Sequence, residues 1–203
     1  GWEDLARRCP RLLFQVAGFD PDDAAAADYV AARLEEAPFA GVGSVDLHHP
    51  FGDHDPLAAG MPAVYDLLEA RGLPFQFHGL TSHDPGGDFP ARMLEVIAAR
   101  PGLQFVWFGC PGSLPGRPAN LTCVLPTDAV AGLVETGADL ALDGAVVGVD
   151  TAPQGYNPPR APIPFESFEA AVASLRDALE GLADDAVTPL ATGRFDELWP
   201  PAR

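Results

Sequence analysis

Lysine is absent from this sequence: all 12 basic residues are Arg, set against 29 Asp and Glu. That absence excludes a Schiff-base lysine, a P-loop lysine and any catalytic ammonium. The formal net charge is −17. Nucleic acid and an anionic membrane surface would be repelled, so neither is expected as a partner. Cysteine is scarce. Cys9, Cys110 and Cys123 are widely spaced and form no CxxC pair. An odd, sparse set does not read as a disulfide framework, and each is expected to be a buried, small, apolar side chain. Long apolar runs are also missing. No segment is long enough to cross a bilayer, and the opening GWEDLARRCP lacks the apolar stretch of a signal peptide. A cytoplasmic protein is the expectation.

Histidine is missing from 1–47 and from 84–203. His48, His49, His54, His78 and His83 share one window, which also holds Asp46, Asp53, Asp55 and Asp84. Imidazole and carboxylate are the usual ligands of Zn, Mn, Fe or Co and the usual proton carriers near neutral pH. Their concentration makes this window the leading candidate for a site.

The chain alternates short apolar runs with helical stretches. The runs at 11–18, 41–49, 74–78 and 103–108 read as strands, and 24–36, 61–71 and 89–100 as helices between them. Beyond lies a Gly- and Pro-rich loop, GCPGSLPGRPAN. After it come a short strand at 121–125, a helix at 128–136, one or two strands within 138–149, a Pro-rich loop, and an amphipathic helix at 165–182. Near-continuous apolar strands alternating with helices predict an α/β fold with a parallel sheet. At 203 residues the chain is short for eight strand–helix units, so an incomplete or distorted TIM-type (β/α) barrel is expected, as a single domain over 1–203.

In such folds the site lies at the carboxyl ends of the strands. Asp46, His48 and His49 end the second strand, His78 ends the third, Cys110 follows the fourth, and Asp143 and Asp150 end the last apolar runs. His48 and His49 must point to opposite faces, while Asp46 and His48 share one as a D-x-H pair. His54 sits in the turn-rich PFGDHDP, within reach of folding back over the site. For His54 and His83 a solvated loop histidine is the plainer reading. FGCPGS is no serine-nucleophile elbow, and GVGS lacks the rest of a dinucleotide fingerprint.

Four stretches resemble the amidohydrolase-related barrels, in particular their aminocarboxymuconate-semialdehyde decarboxylase-like branch. They are Asp20–Leu47, MPAVYDLLEARGLPFQFHG, FPARMLEVIAARPGLQFVWFG, and VVGVDTAP with the closing helices. The resemblance implies a metal site built from an H-x-H pair on a first strand, a His on a middle strand, often a further His on the next, and an Asp on the last. His78 matches the middle-strand His and Asp150 the last Asp. FGCPGS stands where the next His would fall, and the H-x-H pair has no counterpart, which leaves Asp46, His48 or His54 to substitute.

The resemblance thus implies a hydrolase or decarboxylase dependent on a divalent transition metal, Zn or Mn, acting on a small, polar, carboxylated molecule. His48, His78, Asp46 and Asp150 are the expected ligands, and His78 and Asp150 the expected catalytic residues. Arg160, Arg117 and His54 are expected to hold the substrate. One alternative is a catalytically degenerate barrel serving as a binding or assembly subunit. The other is a sugar-phosphate epimerase-like barrel with Asp46, His48, His78 and Asp143 around a metal. An incomplete barrel leaves sheet edges to cover, so a homo-oligomer is expected.

Overall fold

The computed structural model describes residues 15–49, 52–79, 87–110, 117–126 and 145–148, together with Ala173, Arg176, Asp177 and Glu180. The elements run α1 (Ala26–Glu36), β1 (Val42–His49), β2 (Gly52–Asp53), α2 (Met61–Arg71), β3 (Phe75–Gly79), α3 (Phe89–Ala98), β4 (Phe105–Phe108), β5 (Leu121–Pro126) and β6 (Ala145–Gly148). Backbone proximity divides the chain into two compact units, 1–123 with 195–203, and 124–194.

In the first unit the strand order is β2-β1-β3-β4-β5. β1 pairs with β3, and β3 with β4, in parallel. Val16, in the first expected strand, adds a parallel bridge to Val42. These strands and their intervening helices form the expected α/β repeat, as an open sheet among the described residues. In the second unit, Ala173, Arg176, Asp177 and Glu180 are helical and exposed. Their spacing of three to four residues makes them one solvent face of the helix expected at 165–182. Among the described residues no helix is long and apolar enough to cross a membrane.

The helices follow from their apolar spacing. α2 buries Met61, Val64, Tyr65 and Leu68, and α3 buries Phe89, Met93, Val96 and Ile97. Both sets repeat at three to four residues. α2 stops at Gly72, whose φ of 63° is the left-handed conformation that glycine adopts without a Cβ clash. α3 stops ahead of Pro101, which disfavours a helical residue before it. α1 begins at Ala26, two residues later than the helix expected over 24–36. Asp20 and Asp23 instead accept from the backbone N–H groups of Asp22 and Ala25, both at 2.9 Å, and build turns ahead of the helix.

Two expectations are corrected. The stretch PFGDHDP is not all loop, since β2 pairs antiparallel with β1 through His48 opposite Asp53 and His49 opposite Gly52. A connection this short allows only antiparallel return, because a parallel crossover needs a dozen residues or more. Cys110 and Cys123 are not separate thiols but a disulfide with an S–S distance of 2.08 Å. They are buried, as expected. The sheet sets their Cα atoms 5.4 Å apart, within bonding range, across a sequence gap of 13 that carries no sign of it. Cys9 lies outside the described residues.

Candidate functional site

The register of β1 against β3 decides what the site contains. Val42 lies opposite Phe75, Val45 opposite Phe77, Asp46 opposite His78 and His48 opposite Gly79, with irregularities in β1 between Val42 and Val45 and, decisive for the site, between Asp46 and His48. β1 advances two residues there while β3 advances one. Register partners share a face and the side-chain period is two, so this bulge reverses the face that β1 presents. Asp46 stays on the face of His78. His48 moves to the face of Gly79 and Phe77. The expectation that Asp46 and His48 share a face is therefore overturned.

One face is covered by helices. Tyr65 of α2 meets the rings of Phe75 and Phe105 edge-on at 5.1 and 5.7 Å. Phe89, the first residue of α3, meets Phe77 and Trp107. His48 belongs to this layer, since its ring stacks on Phe89 at 4.8 Å. Gly79 is small for a reason: a Cβ there would stand 2.6 Å from Phe89 and from the Trp107 indole nitrogen. That nitrogen donates to the Gly79 carbonyl at 2.9 Å.

The opposite face, which in a (β/α) barrel lines the interior, carries different chemistry. Gln15 donates to Gln76 at 2.9 Å. One step further along the strands, toward their carboxyl ends, Asp46 lies beside His78, and the His78 ring stacks on Phe108 at 4.9 Å. All three side chains are half-buried. Asp46 and His78 are donors of the right chemistry for Zn or Mn at the right end of the sheet. His48, on the other face, does not join them. Among the described residues, no group of three or more donors within 4.8 Å of one another includes Asp46 or His78; the group that does meet this test is Asp20, Asp22 and His54. Asp150, Asp143, His83 and Arg160 lie outside the described residues. Arg117 is described and half-buried.

A cleft of about 220 Å³ opens on the helix-covered side, at the carboxyl end of β1. His48 and Phe89 form its buried wall, and Asp53, Asp55, Asp88 and Arg92 its polar one. Asp53 meets His48 Nδ1 at 3.0 Å. His54 also lines the cleft, and its Nδ1 meets Asp22 at 2.9 Å. The Tyr65 hydroxyl donates at 3.0 Å to the carbonyl of Pro56, another lining residue. Burial pushes this phenol well above its ordinary range, so it stays neutral. Asp53 and Asp55 lie in the histidine window that the sequence singled out, although neither was given a role there; Asp88 and Arg92 escaped the sequence reading. The acid–base alternation of GDHDP was the only visible sign, and nothing local tied it to 88–92.

Arg92 pairs with Asp55 and donates to its carboxylate, and the Leu57 N–H adds a second bond, so the Asp55 carboxyl titrates below the ordinary range. A group with a depressed folded pKa contributes stability that is complete above the unfolded value of about 3.9 and is lost as pH falls through the folded value. The pair is therefore expected to persist at every pH above about 4. A carboxyl-carbon NMR titration should give Asp55 a midpoint below that of an ordinary aspartate, and Arg92→Ala should raise it. No change in that variant would mean that the ion pair does not exist in solution.

The sequence profile of the amidohydrolase family matches residues 2–107 of the 203 in the chain. Among curated proteins no sequence matches it. Solved structures are similar in fold. An uncharacterized TIM-barrel protein of Bordetella bronchiseptica is 14% identical with a TM-score of 0.58, over 96% of this chain and 69% of that one. An amidohydrolase of Burkholderia multivorans with bound zinc is 13% identical with a TM-score of 0.59, over 99% of this chain and 78% of that one. A 2,6-dihydroxybenzoate decarboxylase, complexed with 2,6-dihydroxybenzoate, is 14% identical with a TM-score of 0.53, over 97% of this chain and 74% of that one. The repeat of strand and helix, the parallel pairing of β1, β3 and β4 and the match over half its length agree: this chain belongs to the amidohydrolase family and has its TIM-barrel type of fold, with an open sheet among the described residues.

Proposed function

We propose that the chain is a metal-dependent hydrolase or decarboxylase acting on a small, polar, carboxylated molecule at the carboxyl ends of β1 and β3. The observation that carries this reading is the placement of Asp46 beside His78 on the face away from the helices. Asp46 and His78 would hold Zn or Mn, with Asp150 as a further ligand or as the base. When bound, the metal polarises a carbonyl or lowers the pKa of water. The stack on Phe108 fixes the plane of the His78 ring, and with it the direction of its donor nitrogen. Arg117 and Arg160 are the guanidinium groups proposed to take the substrate carboxylate. His48 is left out of the metal set, and the sugar-phosphate epimerase-like reading loses a ligand with it.

Elemental mass spectrometry on chelator-free protein tests this. Wild-type protein is expected to carry about one transition ion per chain. His78→Ala and Asp46→Asn are expected to lose it, and His48→Ala to keep it. Metal content unchanged in His78→Ala would sink the proposal. Protein that takes up neither Zn nor Mn would favour the degenerate, binding-subunit alternative.

A further inference from the structure

The face that carries Asp46 and His78 continues toward the amino ends of the strands, and no step of the proposed reaction uses what lies there. β3 alternates buried Phe75, Phe77 and Gly79 with half-buried Gln76 and His78, so Gln76 shares the face of His78. It lies two residues nearer the amino end, about 6–7 Å away at the usual strand rise. Gln15 reaches it from the segment that bridges β1 at Val16, and donates to its side-chain carbonyl at 2.9 Å.

The Gln15 side chain passes over β1 at Gly43. A Cβ on Gly43 would stand 2.6 Å from Gln15 Oε1 and 2.6 Å from Gln76 Cβ. A larger residue there would push the two amides apart. Gln15, Gly43 and Gln76 thus form one layer, below the layer of Asp46, His78 and Phe108.

Branched apolar side chains ordinarily fill such a layer of a barrel interior. Val106, the register partner of Gln76 on β4, conforms to that rule. The glutamines do not. Each amide has two donor hydrogens and an acceptor oxygen. Their shared bond uses one donor and one acceptor, and neither glutamine makes another hydrogen bond among the described residues. Either orientation of each amide gives the same count. Both residues are half-buried rather than sealed in. A ligand held at Asp46 and His78 and extending along the strands therefore meets neutral amides with N–H and carbonyl groups to spare. A carboxamide or a hydroxyl, which both donates and accepts, complements them. A second carboxylate only accepts, and would enter a chain of net charge −17. A methyl end would leave the amides unpaired.

We propose that Gln15 and Gln76 determine specificity: they form the far end of the substrate site and select a molecule whose end remote from the metal carries an uncharged hydrogen-bonding group. This inference rests on the reading of Asp46 and His78 as metal ligands.

The test uses the full chain loaded with zinc and three probes of similar length: glutaramate, glutarate and pentanoate. Each brings a carboxylate to the metal, and they end in a carboxamide, a carboxylate and a methyl group. Titration calorimetry gives the affinities. Glutaramate is expected to bind about tenfold more tightly than either of the others, equivalent to about 1.4 kcal/mol. In Gln76→Leu, and separately in Gln15→Leu, that preference is expected to vanish while the zinc content stays as in wild type. Two glutamines that merely tie strands together would give variants with a lower Tm and an unchanged ratio of affinities, which would overturn the proposal. Equal binding of the three probes by the wild type would overturn it as well. The two readings fail differently. Wild-type protein that takes up no zinc would sink the metal site and this inference with it, whereas zinc uptake without a preference for glutaramate would sink this inference alone.

Discussion

Trp107→Ala is expected to destabilise the protein by about 4 kcal/mol, since removal of a large buried aromatic costs about 3–5 kcal/mol. Trp107 is fully buried on β4. Its ring lies 5.2 Å from that of Phe77 and meets Phe89 edge-on at 5.8 Å. Two losses combine in the variant. A cavity opens between the sheet and α3 where packing cannot collapse freely, and the Gly79 carbonyl loses its donor. Urea unfolding followed by far-ultraviolet circular dichroism reads the loss directly, and the Tm is expected to fall by about 10 °C. Trp107→Phe refills most of the space but not the hydrogen bond, so it should cost about half as much. A loss below about 1 kcal/mol in the Ala variant would remove Trp107 from the core.

Asn120→Asp is expected to be more damaging than Asn120→Ala, although it is the more conservative in shape. Asn120 is buried ahead of β5, and its amide nitrogen donates to three carbonyls: Ile97 at 3.1 Å, Arg100 at 2.8 Å and Leu103 at 2.9 Å. The Ile97 carbonyl, among the last of α3, also accepts from the Arg100 N–H at 3.2 Å. One side chain thus ties the end of α3 and the entry to β4 to the start of β5. Alanine removes both N–H donors, which the three carbonyls share, and is expected to cost about 2 kcal/mol, at about 1 kcal/mol per lost donor. Aspartate places an ionisable acceptor against three acceptors, which adds repulsion and burial of charge. Denaturation midpoints at pH 7 should therefore rank wild type, then Ala, then Asp. As pH falls and the carboxyl protonates, one donor returns, and the Asp variant is expected to recover part of its deficit. An Asp variant as stable as wild type would mean that Asn120 does not bridge these carbonyls.

Much of the local structure could be read from the residues. The Gly-Leu-Pro stop after Arg71, the apolar spacing of α2 and α3, and the β-rich FVWF run are short-range signals. They place α2, β3, α3 and β4 within a few residues of where they stand. His78 at the end of β3 needed only the strand and its boundary.

Sequence pattern alone determined the α/β repeat, the histidine window and the arrival of Asp46 and His78 at the carboxyl ends of neighbouring strands. Three features were decided only by the tertiary structure. The bulge in β1 carries His48 away from Asp46, because strand period is local but the register of a strand against its neighbour is not. The disulfide joins Cys110 and Cys123 because adjacent strands bring them together. The cleft gathers Asp53 of β2 and Asp55 just beyond it with Asp88 and Arg92 from the start of α3. Periodicity specifies which way a residue points within its own element, whereas convergence of charges from separate elements depends on how those elements pack.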